Sequence, residues 1–248
     1  MTRFLAELRF WCAFVWETAT RRRLRAVIRS RLRGVRVDVR GTESVPASGP
    51  FVMAINHYRD SATFHVFCAV LQSLGGVRPD VPCDALIVAG RREPSARRGW
   101  MGAGARRLAD AILGRWSAHL VRIPLGNAVP DLRALRVFLG RAAQQPTIVF
   151  PEGRASAELG DVRDGAGRFL SLVPVPTLPV AVHEEGGAWV VTFGTAIAWS
   201  RRKELRDVQL GMAIADLLPA HVAPDWQRLH ADWRGAHAQS HRSIGCRS

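Results

Sequence analysis

Two short polar clusters stand directly after apolar runs. Asn56-His57-Tyr58-Arg59-Asp60-Ser61 follows the run 51–55, and Pro151-Glu152-Gly153-Arg154-Ala155-Ser156 follows the run 147–150. An imidazole titrates near neutral pH, so His57 has the right group to take a proton from a weak nucleophile. A carboxylate at hand, such as Asp60, would fix the tautomer and steady the imidazolium. The second cluster joins a carboxylate, a glycine backbone and a guanidinium. Each feature also has a plainer use. A histidine at a strand end often serves only a structural hydrogen bond, Pro-Glu-Gly is a common way to turn, and Asp60 suits the N-cap of a helix starting near residue 62.

The elements that must position these residues read as an α/β pattern. Apolar, strand-length runs occur at 35–39, 51–55, 85–89, 119–123 and 147–150, and helical stretches lie near 63–74, 104–113 and 131–143. A later pair, 177–182 and 189–193, is separated by Glu184-Glu185-Gly186-Gly187 and predicts a hairpin. The expected fold class is therefore α/β, with a mixed, largely parallel sheet flanked by helices. In such folds sites form just outside the carboxyl ends of strands, which is where both clusters fall.

Residues 1–34 are expected to form a separate amphipathic segment, 35–220 the main domain, and 221–248 a tail with no assignable role. The first segment carries an apolar stripe through Phe4, Leu8, Trp11 and Val15, then a basic helix with Leu24, Ile28 and Leu32 on one row and Arg21, Arg25, Arg29 and Arg33 on another. Nine arginines against Glu7 and Glu17 give residues 1–33 half of the whole-chain charge of +14. This helix either packs its apolar face on the domain or lies on an anionic membrane, and the two are compatible. No uncharged apolar run of about 18 residues is present to span a bilayer, and there is no signal-peptide core. Nucleic acid is disfavoured as a partner, since the chain shows no helix-turn-helix, zinc or RNA-binding-sheet pattern. The four cysteines, Cys12, Cys68, Cys83 and Cys246, lack metal-ligand spacing and read as reduced thiols of a cytosolic compartment.

Four blocks taken in order give the clusters a more specific meaning. They are Asn56-His57; Val121-Arg122-Ile123; Phe150-Pro151-Glu152-Gly153, with Gly165 about a dozen residues on; and Val175-Pro176-Thr177-Leu178-Pro179-Val180. Together they resemble the lysophosphatidic acid acyltransferase family of glycerolipid acyltransferases, over residues from about 37 to about 218. The resemblance implies an O-acyltransferase of phospholipid biosynthesis. It would move a fatty acyl group from acyl-CoA or acyl carrier protein to a lysophospholipid hydroxyl, as on 1-acylglycerol-3-phosphate, at the cytoplasmic face of the cell membrane as a peripheral protein. It implies no metal and no cofactor beyond the thioester donor. His57 would be the general base with Asp60 as its carboxylate, and Arg122, Glu152, Gly153 and Arg154 would bind the phosphorylated acceptor.

The chain departs from the family pattern at two places. The family carries an aspartate five residues after the histidine, where this chain has Ala62, and Arg154-Ala155 stand where the commonest form has Thr-Arg. The first departure leaves a second expectation open, a catalytically impaired relative that binds lipid as a partner or scaffold.

Overall fold

In the computed structural model the described residues are 28–29, 32–58, 63–80, 86–92, 120–125, 132–152, 156–226 and 228–229. They form a seven-stranded sheet: β1 (Val37–Arg40), β2 (Val52–Ile55), β3 (Leu86–Arg92), β4 (Leu120–Leu125), β5 (Thr147–Val149), β6 (Thr177–Glu185) and β7 (Ala188–Phe193), in the order β1-β7-β6-β2-β5-β3-β4. The five strands from β6 to β4 are mutually parallel. β7 is antiparallel to β6, and β1 is parallel to β7, so these two run against the rest. The helices are α1 (Thr63–Val77), α2 (Leu132–Ala142), α3 (Ala166–Leu170) and α4 (Arg206–Ala215). The chain is an α/β protein with a mixed, largely parallel sheet flanked by helices, as the apolar runs predict. The predicted helix at 104–113 lies outside the described residues.

β2 shows why the runs are continuous rather than alternating. Its residues Val52, Met53, Ala54 and Ile55 are all fully buried, because a central parallel strand has both faces covered. The register of β6 and β7 locates the covers. Trp189 lies opposite Glu184 on one face, and its ring stacks on His65 of α1 at 6.3 Å. Pro179, an odd number of residues along β6, lies on the other face, where its ring and the Leu217 side chain beyond α4 would both crowd a Cβ at Gly194. α1 and α4 therefore cover opposite faces. The hairpin between β6 and β7 turns on Gly186 and Gly187, with φ of 56° and 76°, the two positive values a tight turn of this hand requires.

Both ends of the described chain join this core. Ile28 and Leu32 are 2% and 5% exposed, while Arg29 and Arg33 beside them are exposed, so this part of the basic helix packs its apolar row on the domain. Residues 1–27, with the rest of the amphipathic segment, lie outside the described residues. Val222, Ala223 and Trp226, in the stretch without a role in the sequence, are buried in the same core.

Candidate active site

Asn56 is where the chain leaves β2, and its side chain explains how. The last paired residues of β2 and β6 are Ile55 and Val180. Beyond them the Asn56 amide takes over: Nδ2 donates to the Val182 carbonyl at 2.9 Å, and Oδ1 accepts from the Val182 N–H at 2.7 Å. A side-chain amide thus imitates one further step of strand pairing while the backbone turns out of the sheet. Asn56 is 2% exposed, so both bonds are shielded from water.

His57 follows on the released backbone and is held from the neighbouring side. Its N–H donates to Glu152 Oε1 at 2.5 Å, and its carbonyl accepts from the Ser156 N–H at 3.0 Å. Its ring tilts against Phe150 with centroids 4.7 Å apart. Tyr58 then makes an isolated parallel bridge to Ser156 and meets the edge of Trp189 at 6.0 Å. A half-buried imidazole is thereby presented at the carboxyl end of the parallel strands, seated by residues from β5, β6 and β7.

Glu152 is the hinge of this seat. Its other oxygen, Oε2, accepts from the Gly160 N–H at 2.7 Å, so one carboxylate joins the end of β2 to the loop before α3. The side chain is buried, and burial pushes its pKa up to about 7, against the two backbone N–H groups that favour the charged form. Both oxygens are engaged with backbone amides, which is the plainer of the two uses the sequence allows for this residue.

The remaining sequence-derived residues are placed as follows. Register runs from Met53 through Ile148 and Ile87 to Leu120, so Arg122 in β4 lies level with Ile55. It is at the carboxyl end of the sheet but three strands from β2, about 14 Å at the usual spacing of neighbouring strands. Asp60, Gly153 and Arg154 lie outside the described residues, as does Ala62. Gly165 adopts φ 81° and donates its N–H to Asp207 Oδ2 at 2.8 Å. Asp207 also accepts from the Gly167 N–H at 2.7 Å, tying α3 to α4.

Sequence reasoning gave no part to Asn56 beyond its pairing with His57, and none to Gly160, Asp207 or Trp226. Only an asparagine after a strand signalled the first, and no local pattern signals the others.

No family model matches the chain, and no curated protein matches it. Among solved structures the chain is similar to the 1-acyl-sn-glycerophosphate (LPA) acyltransferase PlsC from Thermotoga maritima, with a TM-score of 0.47 and 18% sequence identity over 84% of this chain and 87% of that one.

Proposed function

We propose that the chain is an O-acyltransferase that moves a fatty acyl group from acyl-CoA or acyl carrier protein to a lysophospholipid hydroxyl, such as that of 1-acylglycerol-3-phosphate, at a membrane surface. The observation that carries the reading is the seat of His57, an imidazole turned out at the end of β2 and fixed through its backbone by Glu152. In the reaction the acceptor hydroxyl gives its proton to the imidazole as its oxygen attacks the thioester carbonyl. The tetrahedral centre then collapses, the C–S bond breaks, and the thiolate leaves with the proton from the imidazolium, giving an ester and a free thiol. Nδ1 of His57 is shielded from solvent, which makes Nε2 the nitrogen that meets the hydroxyl. Glu152 binds the His57 backbone rather than its ring, so the carboxylate that orients the ring is assigned to Asp60. Arg122, Gly153 and Arg154 bind the phosphate of the acceptor.

The direction of β1 supports a membrane setting. β1 runs against β2, so Val35 and Arg36, which lead into it, lie at the end of the sheet where His57 is seated. The basic segment 1–33 precedes β1 in the chain, and an anionic leaflet attracts each such arginine by about 1 kcal/mol.

One observation favours a second reading, a lipid-binding relative without turnover: Ala62 occupies the position of the family aspartate. A single assay separates the two. The full chain is added to anionic vesicles containing a lysophosphatidate, with acyl-CoA or acyl carrier protein as donor, and diacyl product is measured together with vesicle retention. Transfer by the wild type, with retention that weakens as salt rises, is the expected result. Absence of transfer with every thioester, joined to activity in Ala62→Asp protein, would favour the impaired relative.

A further inference from the structure

Trp226 lies in the C-terminal stretch for which the sequence suggests no role, yet it is 8% exposed and held on two sides. Its six-membered ring covers Gly211 of α4 so closely that a Cβ at that position would run into the ring carbons. Its indole Nε1–H donates to the Gly160 carbonyl at 3.0 Å. One residue earlier, the Leu159 N–H donates to the Val222 carbonyl at 2.7 Å, so the segment that ends in Trp226 grips the 159–160 loop by two bonds. Gly160 in turn gives its own N–H to Glu152 Oε2 at 2.7 Å, and Glu152 Oε1 accepts the His57 N–H at 2.5 Å. Three consecutive hydrogen bonds therefore run from Trp226 to the residue that presents the imidazole.

We infer that Trp226 is a positioning residue for His57, acting through Gly160 and Glu152. The inference rests on the proposed reading of His57 as the general base. An indole N–H is a donor only, and here its acceptor is the residue that completes the coordination of Glu152. Without that bond only the Leu159–Val222 bond ties the loop to this segment, so Gly160 can shift, its amide is less well aimed at the carboxylate, and the anchor of the His57 backbone shifts with it. The close approach at Gly160, where a Cβ would stand 3.2 Å from Glu152 Oε2, leaves no side chain of its own to hold it in place. Small displacements of a reacting group are costly, about a hundredfold in rate for roughly 1 Å.

The test uses the full chain and Trp226→Phe, which keeps an aromatic ring over Gly211 and removes the N–H. Two readouts are taken. In ¹⁵N-labelled protein the His57 and Gly160 amide signals are followed from pH 5 to 9. In the vesicle assay kcat and KM are measured for donor and acceptor. Expected in Trp226→Phe are shifted His57 and Gly160 amide signals and a kcat lowered about tenfold or more, with KM for the thioester within about twofold. Gly211→Ala, which pushes the ring from its seat, should change the same two amide signals and serves if Trp226→Phe folds poorly. Arg228→Ala, at an exposed ion pair with Asp225 on the same segment, should change neither readout. Unchanged His57 amide signals in both Trp226→Phe and Gly211→Ala, or equal effects from Arg228→Ala, would overturn the inference. Shifted amide signals in Trp226→Phe, joined to a wild type that transfers no acyl group, would instead remove the proposed function while leaving the link from Trp226 to His57 in place.

Discussion

Glu152 is a buried carboxylate that, among the described residues, has two backbone amides and no cation as partners. Burial wins over those amides and raises its pKa from 4.5 to about 7. The sign of the consequence follows from which state holds the proton. Between about pH 4.5 and 7 the folded chain is protonated at Glu152 while the unfolded chain is not, so stability from this group is greatest on the acid side, declines through that window, and is level above it. The span corresponds to a decline on the order of 3 kcal/mol. Glu152→Gln cannot titrate there. Urea unfolding at pH 5, 6, 7 and 8 should therefore show the wild type losing stability relative to Glu152→Gln as pH rises, whereas a difference independent of pH would show that the carboxyl is already ionised at pH 5. The same proton matters to the site. A protonated carboxyl keeps its carbonyl oxygen as an acceptor and leaves the hydroxyl oxygen a weaker one, so one of the two amide bonds is weakened.

At the level of elements, Asn56 closes the gap between β2 and β6 that the strand ladder leaves open. Asn56→Ala would strip partners from the buried N–H and C=O of Val182, each costing about 1–3 kcal/mol. The variant should lose roughly 2–6 kcal/mol in denaturant unfolding, and a loss under about 1 kcal/mol would mean that water or a shifted backbone replaces the amide. The strands themselves were legible because each central one is a short continuous apolar run, as Val52–Ile55 is, and because two adjacent glycines mark the hairpin. α3 and α4 were not. α3 has only five residues, and its start depends on Asp207, far along the chain, while a Cβ at Gly167 would land on the Arg206 carbonyl. α4 buries Leu210, Gly211, Met212, Ile214 and Ala215, an almost unbroken block that hides the helical stripe. The pairing of β1 with β7 joins residues some 150 positions apart, which no local pattern records.

Across the whole molecule, the two polar clusters found beside apolar runs do converge, with His57 on Glu152, because parallel strands bring their carboxyl ends to one edge. What the sequence left unread is the support behind them. Gly160 acts through its backbone N–H and C=O, which no residue type marks, and the indole N–H of Trp226 meets it from 66 positions away, which no local pattern records. The ends of the described chain belong to the same body: Ile28 and Leu32 enter the core from one end and Trp226 from the other. All of this support converges on one imidazole, so the most direct measurement is turnover of a lysolipid acceptor with an acyl thioester by His57→Ala beside the wild type at pH 8, with unfolding midpoints measured in parallel. The expected result is a fall of about 1,000-fold in turnover with the midpoint nearly unchanged. Full activity in folded His57→Ala protein would contradict the assignment of His57 as the base.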